Sequence, residues 1–215
     1  MRRKHSIFRQ RKPDQYGPGM KSIVLFSLLF VTCGIMQAQI SFGIKGGLNI
    51  SDVVINNVND PDAESDFNLK MGLHGGFFAI AEVGGKTGLS AELLYSNKGV
   101  RAINNINLHY ITLPVFVRYL VAEKFIVEGG PELGYLLAAK SRYGNVSSWN
   151  NQIDLGLDIG LQYYVLSNMM LGLRFNAGIS NVVNNTPVTQ QGEKIRYQNR
   201  VLQLSIGYTL YKSKQ

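Results

Sequence analysis

Along residues 152–165, Q-I-D-L-G-L-D-I-G-L-Q-Y-Y-V, polarity alternates with a period of two. Gln152, Asp154, Gly156, Asp158, Gly160 and Gln162 fall on one side, and Ile153, Leu155, Leu157, Ile159, Leu161 and Tyr163 on the other. This pattern predicts a β-strand with one small, polar face and one wholly apolar face. In a soluble sandwich the apolar face packs on a second sheet. In a membrane-spanning barrel it meets lipid, and the polar face lines the lumen.

The alternation recurs in residues 40–49, 67–82, 87–98, 106–121, 125–141, 169–181 and 197–211, which with 152–165 makes eight strands. Phe78 and Ile80 blur the polar side of the second. The connections run long, short, medium, short, long, short, long. That rhythm belongs to a barrel with tight turns at one end and extended loops at the other, and the strands are about 10 residues or more, enough to cross a bilayer when tilted. The expected fold is therefore all-β, an eight-stranded antiparallel up-and-down transmembrane β-barrel. Pro114 and Pro131 interrupt strand patterns, and since proline lacks a ladder donor they are expected at bulges.

Composition changes the picture in one respect. The 215 residues carry a formal charge of +8, but residues 1–38 hold seven of the 22 Lys and Arg and one of the 14 acids. The remaining 15 basic and 13 acidic residues leave about +2, so the basic balance belongs to the leader and does not imply nucleic acid. Met20 and Lys21, the apolar run 23–36 and Ala38 before Gln39 form a secretory signal peptide. Translation is expected to begin at Met20, with cleavage after Ala38. The chain then divides into 1–38, an extension plus signal peptide, and 39–215, a single barrel domain. Cys33 falls in the leader, so the mature chain has no cysteine for a disulfide or thiolate metal site. His5, His74 and His109 are too scattered for a metal site, and no cofactor is expected.

Four segments together resemble a known family: F-G-I-K-G-G-L-N-I-S at 42–51, Y-I-T-L-P-V-F-V-R-Y at 110–119, E-G-G-P-E-L-G-Y-L-L at 128–137 and D-L-G-L-D-I-G-L-Q-Y at 154–163. They are similar to the PorT-type outer-membrane β-barrel proteins of Bacteroidota, across residues 40–211. The resemblance implies an eight-stranded barrel in the cell outer membrane, with prolines at both positions noted above. The founding member is linked to gliding and type IX secretion, a role that no residue pattern here singles out.

The strand registers place Lys45, Lys70, Lys98, Arg118, Lys140 and Arg174 on the lumen side, with Glu92, Glu128, Glu132, Asp154 and Asp158. An eight-stranded barrel is just wide enough inside for side chains, so these groups are expected to pair in a structural charge network, and the lumen to be packed. Carboxylates four apart on one strand, Glu128/Glu132 and Asp154/Asp158, lie about 13 Å apart, too far for a close acid–base dyad. His74, Ser90 and Glu92 supply the residue types of a Ser-His-acid hydrolase, without a supporting motif. Outward Tyr95, Tyr119, Tyr135, Tyr163 and Tyr208 fit interfacial girdles.

The leading expectation is a non-enzymatic outer-membrane barrel with a structural or interaction role. The alternatives are a component of a type IX secretion or gliding apparatus, and an outer-membrane hydrolase acting on lipid A or peptide. The expected partners are outer-membrane lipid, the barrel-assembly machinery during biogenesis, and an envelope protein reached through the loops 50–66, 142–151 and 182–196.

Overall fold

A computed structural model describes residues 38–56, 69–101, 106–184 and 195–213. The strands are β1 Gln39–Asn56, β2 Lys70–Gly84, β3 Thr87–Val100, β4 Ile106–Ala122, β5 Phe125–Ser141, β6 Gly144–Asn145, β7 Ile153–Leu166, β8 Met169–Gly178 and β9 Arg196–Lys212. All pairings are antiparallel. Sequence neighbours pair in turn, β6 is a two-residue rung on the end of β5, and pairing of β1 with β9 closes the eight long strands into a barrel. Closure removes the unpaired edges that an open sheet would present, which is the condition for a sheet to sit in hydrocarbon.

The alternation sorts inside from outside as expected. On β7, Asp154, Gly156, Asp158, Gly160 and Gln162 are buried in the lumen, while Ile153, Leu155, Leu157, Ile159 and Leu161 are exposed on the outer wall. The same outward apolar row continues on every long strand, through Leu73 and Phe77, Leu93, Val115 and Val117, Leu133, Leu173 and Leu204.

Tyr119, Tyr208, Tyr211 and Phe42 are exposed close to the turns, and half-buried Tyr163 packs on Phe125 with ring centroids 4.7 Å apart. Tyr95 and Tyr135 flank Ile111 on the neighbouring strands, eight positions along β4 from Tyr119. At the usual rise and tilt, that spacing is about 20 Å of barrel height. The apolar wall is thus bounded by an aromatic belt towards the turns and a sparser one towards the loops.

Several boundaries differ from the expectation. β1 runs on to Asn56, because Asp52 to Asn56 pair with Arg200 to Arg196 on β9, so the first loop is shorter than 50–66. β8 stops at Gly178, short of 181. The segment 142–151 is not a bare loop: β6 and a 3-10 turn at Ser147–Trp149 fold it back on β5, and Asn150 bridges Val183. The expected start at Met20 and the leader up to residue 37 lie outside the described residues.

The prolines also depart from the expectation. The β4–β5 register is constant from Leu113↔Leu133 to Val117↔Gly129, so neither Pro114 nor Pro131 is a bulge. Each instead interrupts the ladder without shifting it, since a missing N–H removes a bond but leaves the strand path intact. The bulge lies elsewhere. His109 pairs Ala138 while Tyr110 pairs Leu136, so Leu137 is the extra residue.

Candidate functional site: the packed lumen

The bulge at Leu137 decides one of the expected lumen residues. One extra residue exchanges the faces beyond it, so Ala139 turns inward, fully buried, and Lys140 turns out to solvent. Lys140 is therefore not a lumen group. The other ten candidates, Lys45, Lys70, Lys98, Arg118 and Arg174 with Glu92, Glu128, Glu132, Asp154 and Asp158, are all buried inside the barrel. Five cations face five carboxylates, so the lumen is formally neutral over the described residues.

Arg174 on β8 is the centre of the first network. Its Nη1 and Nη2 donate to both oxygens of Glu92 on β3, each at 2.9 Å, and Nη2 and Nε donate to Glu128 Oε1 on β5 at 2.6 and 3.1 Å. The guanidinium also lies 4.2 Å from the Phe116 ring centroid on β4. Lys45 on β1 donates to Glu92 Oε1 at 2.9 Å. Gln162 on β7 donates to Glu128 Oε2 and accepts from Arg118 Nη2 on β4, both at 2.7 Å. One chain of charge-assisted hydrogen bonds thus joins six of the eight barrel strands, each link stronger than a neutral one.

A second network lies towards the loop end. Lys98 donates to Glu132 at 2.6 Å and stands 3.8 Å from Asp154. Asp154 accepts from Asn199 on β9 at 2.7 Å and from Ser180 at 2.8 Å. Asn176 donates to both Glu132 and Asp158. Glu132 thus shares Lys98 with Asp154 and Asn176 with Asp158, both on the adjacent β7, whereas the same-strand pairs Glu128/Glu132 and Asp154/Asp158 divide between partners. Lys70, nearest the loop end, donates to the carbonyls of Lys98 and Ile106 and to the Asn107 side chain.

The Ser-His-acid combination does not assemble. His74 pairs Ser96, so Ser90 is six positions away along β3, about 20 Å at the rise of a strand. His74 Nδ1 lies 2.8 Å from Asn49 Oδ1, and Glu92 is occupied by Lys45 and Arg174. Among the described residues no group of three His, Cys, Asp or Glu side chains could hold a metal ion.

Two apolar clusters complete the lumen, and alternation alone did not bring them out. Towards the turns, Phe78, Ile80 and Met170 pack together inside the wall, with Tyr164 against them. Gly43 makes room for this plug, since a Cβ there would come within 2.3 Å of both the Phe78 ring and the Tyr208 carbonyl oxygen. Towards the loops, Leu108, Tyr110, Leu136 and Ala139 are covered by Val146 and Val182 from the two connecting segments. The signal for the first plug was present in Phe78 and Ile80 on an otherwise polar face. The second depends on segments folding back over the mouth, which strand periodicity does not register.

The model of the family described as outer membrane protein beta-barrel domain matches residues 36–184. No curated protein matches by sequence. Among solved structures, Neisserial surface protein A is similar at 13% identity and a TM-score of 0.54, covering 80% of this chain and 99% of its own. Ail, the attachment invasion locus protein of Yersinia pestis, is 13% identical over 79% of this chain and 98% of its own, at a TM-score of 0.48. OprG of Pseudomonas aeruginosa is 12% identical over 81% and 97%, at 0.44.

Proposed function

Since the chain belongs to the family of outer membrane protein beta-barrel domains, we propose that it is a non-enzymatic outer-membrane barrel whose closed lumen serves as scaffold and whose loop end meets a partner in the envelope. The observation that carries this reading is the lumen itself. A neutral, ion-paired middle lies between an apolar cluster at each end, an arrangement suited to holding a wall in shape and unsuited to passing solute.

In this reading the eleven-residue charge set narrows to a structural role for the ten inward groups. Lipid surrounds the apolar rows, the barrel-assembly machinery inserts the chain after export by a leader cleaved behind Ala38, and the loop end faces outward. The resemblance to PorT-type barrels of Bacteroidota makes a secretion or gliding component the finer form of the same proposal. A hydrolase acting on lipid A or peptide has no support from the positions of His74, Ser90 and Glu92.

Fractionation tests the core of the proposal. The mature protein, beginning at Gln39, is expected in the outer-membrane fraction and is expected to migrate faster on gels when unheated than when boiled. Recovery in the periplasm or inner membrane, with one heat-independent band, would refute it. A deletion strain scored for type IX secretion and gliding then decides the finer form.

A further inference from the structure

We infer that the turn-end mouth of the barrel is an oxyanion site that takes a phosphate group, with Arg118 as its anchor. A cavity of about 470 Å³ opens there between the β2–β3, β4–β5 and β7–β8 turns and the ends of β1 and β9. Arg118 lies at its floor and is only 2% exposed.

Lys45, Lys98 and Arg174 each have a carboxylate oxygen within 2.9 Å. Among the described residues Arg118 has none so close, and neither has Lys70, which donates to neutral oxygens at the opposite, loop end of the barrel. Its Nη2 donates to two neutral groups, Gln162 Oε1 at 2.7 Å and Tyr164 Oη at 3.3 Å. Its Nη1 is 3.9 Å from Glu82 Oε1, beyond hydrogen-bonding distance, and that side chain is 45% exposed. Nε is buried and has no hydrogen-bond partner among the described residues. A cation so far out of water is held only weakly when its nearest carboxylate is half-exposed and 3.9 Å away, and the guanidinium fork matches a phosphate with two parallel N–H donors.

The rim supplies the remaining charge. Lys86, Lys124 and Lys212 are exposed around the cavity, against Glu82 and Glu123. With Arg118 the mouth carries four cations and two carboxylates, a field that favours a multiply charged anion over a neutral solute. The phosphate could belong to a soluble molecule or to a lipid headgroup of the adjacent leaflet. Both offer the same oxygens to Arg118, and neither depends on the role proposed for the lumen.

The test uses the folded barrel in a phosphate-free maltoside detergent, titrated with inorganic phosphate and followed by calorimetry and by the NMR signal of the Arg118 Nε–H. Saturable binding is expected, weakened about tenfold in Arg118→Gln, the loss of roughly one charged hydrogen bond, and unchanged in Lys140→Gln on the outer wall. If Arg118→Gln fails to give the heat-modifiable folded band, the exposed pair Lys124→Gln/Lys212→Gln carries the test, with binding expected to fall about threefold or more. Repeating the titration in nanodiscs with and without phosphatidylglycerol separates the sources. Competition by the lipid assigns the site to a headgroup, and undiminished binding assigns it to a soluble phosphate. Absence of saturable binding, or equal affinity in the folded Arg118 and lysine variants, would overturn the site.

Discussion

Arg174 shows what a single residue does inside this barrel. It holds two carboxylates from different strands, Glu92 and Glu128, in a space too narrow for bulk water, and its removal leaves both short of their main cation. Replacing it by Met is expected to destabilise the barrel by about 3–5 kcal/mol, as for other buried ion pairs broken on one side. Lys140→Met should change stability by no more than about 0.5 kcal/mol, the range for exposed positions. Urea unfolding from lipid vesicles measures both, and equal effects would mean that Lys140 also faces inward. The contrast also marks how far single residues were legible in the sequence. Parity along a strand points to ten charges that are buried inside the barrel, and it does not hold at Lys140 because a bulge at Leu137 has no composition of its own to announce it.

At the scale of the element, each strand reads as two columns in different solvents. On β7 the inward column is Asp, Gly and Gln, and the outward one is Ile and Leu, so a charge has opposite consequences one residue apart. Ile159 is 63% exposed near the middle of the strand, and Val165 lies close to the turn. Ile159→Arg is expected to cost about 2–4 kcal/mol in a bilayer, and Val165→Arg about 0–1 kcal/mol, because the penalty follows depth. The same cost at both positions would argue that the outer wall does not face hydrocarbon. Strands were the most legible feature of the sequence, since a period of two sustained over ten or more residues matches the pleat of a strand and clashes with the 3.6-residue turn of a helix. Their ends were less so. β1 extends seven residues past 49 because β9 offers it a partner, a fact of tertiary pairing that local composition in an Asn- and Asp-rich stretch conceals.

For the whole molecule, closure and filling are the two properties that matter. Closure was readable from the alternating loop lengths, which require each strand to return beside the last. Filling was readable in part. The balance of inward charges called for pairing, but the neutral links, Gln162 between Arg118 and Glu128 and Asn176 between Glu132 and Asp158, stood on the polar column with nothing to distinguish them from solvent-facing amides. The cover of Val146 and Val182 over the loop-end mouth lay further from view, since it is set by how two connections fold back. In the proposed reading these parts give a barrel that is membrane-facing outside and closed by its filling inside.

Single-channel recording in a planar bilayer tests that claim most directly. The wild-type barrel, inserted from detergent with its folded state verified by heat-modifiable migration, is expected to give no stable conductance above baseline at moderate voltage. Long-lived, large conductance steps of uniform size would contradict it, because ions would then be crossing a lumen that the ion pairs and the two apolar clusters fill.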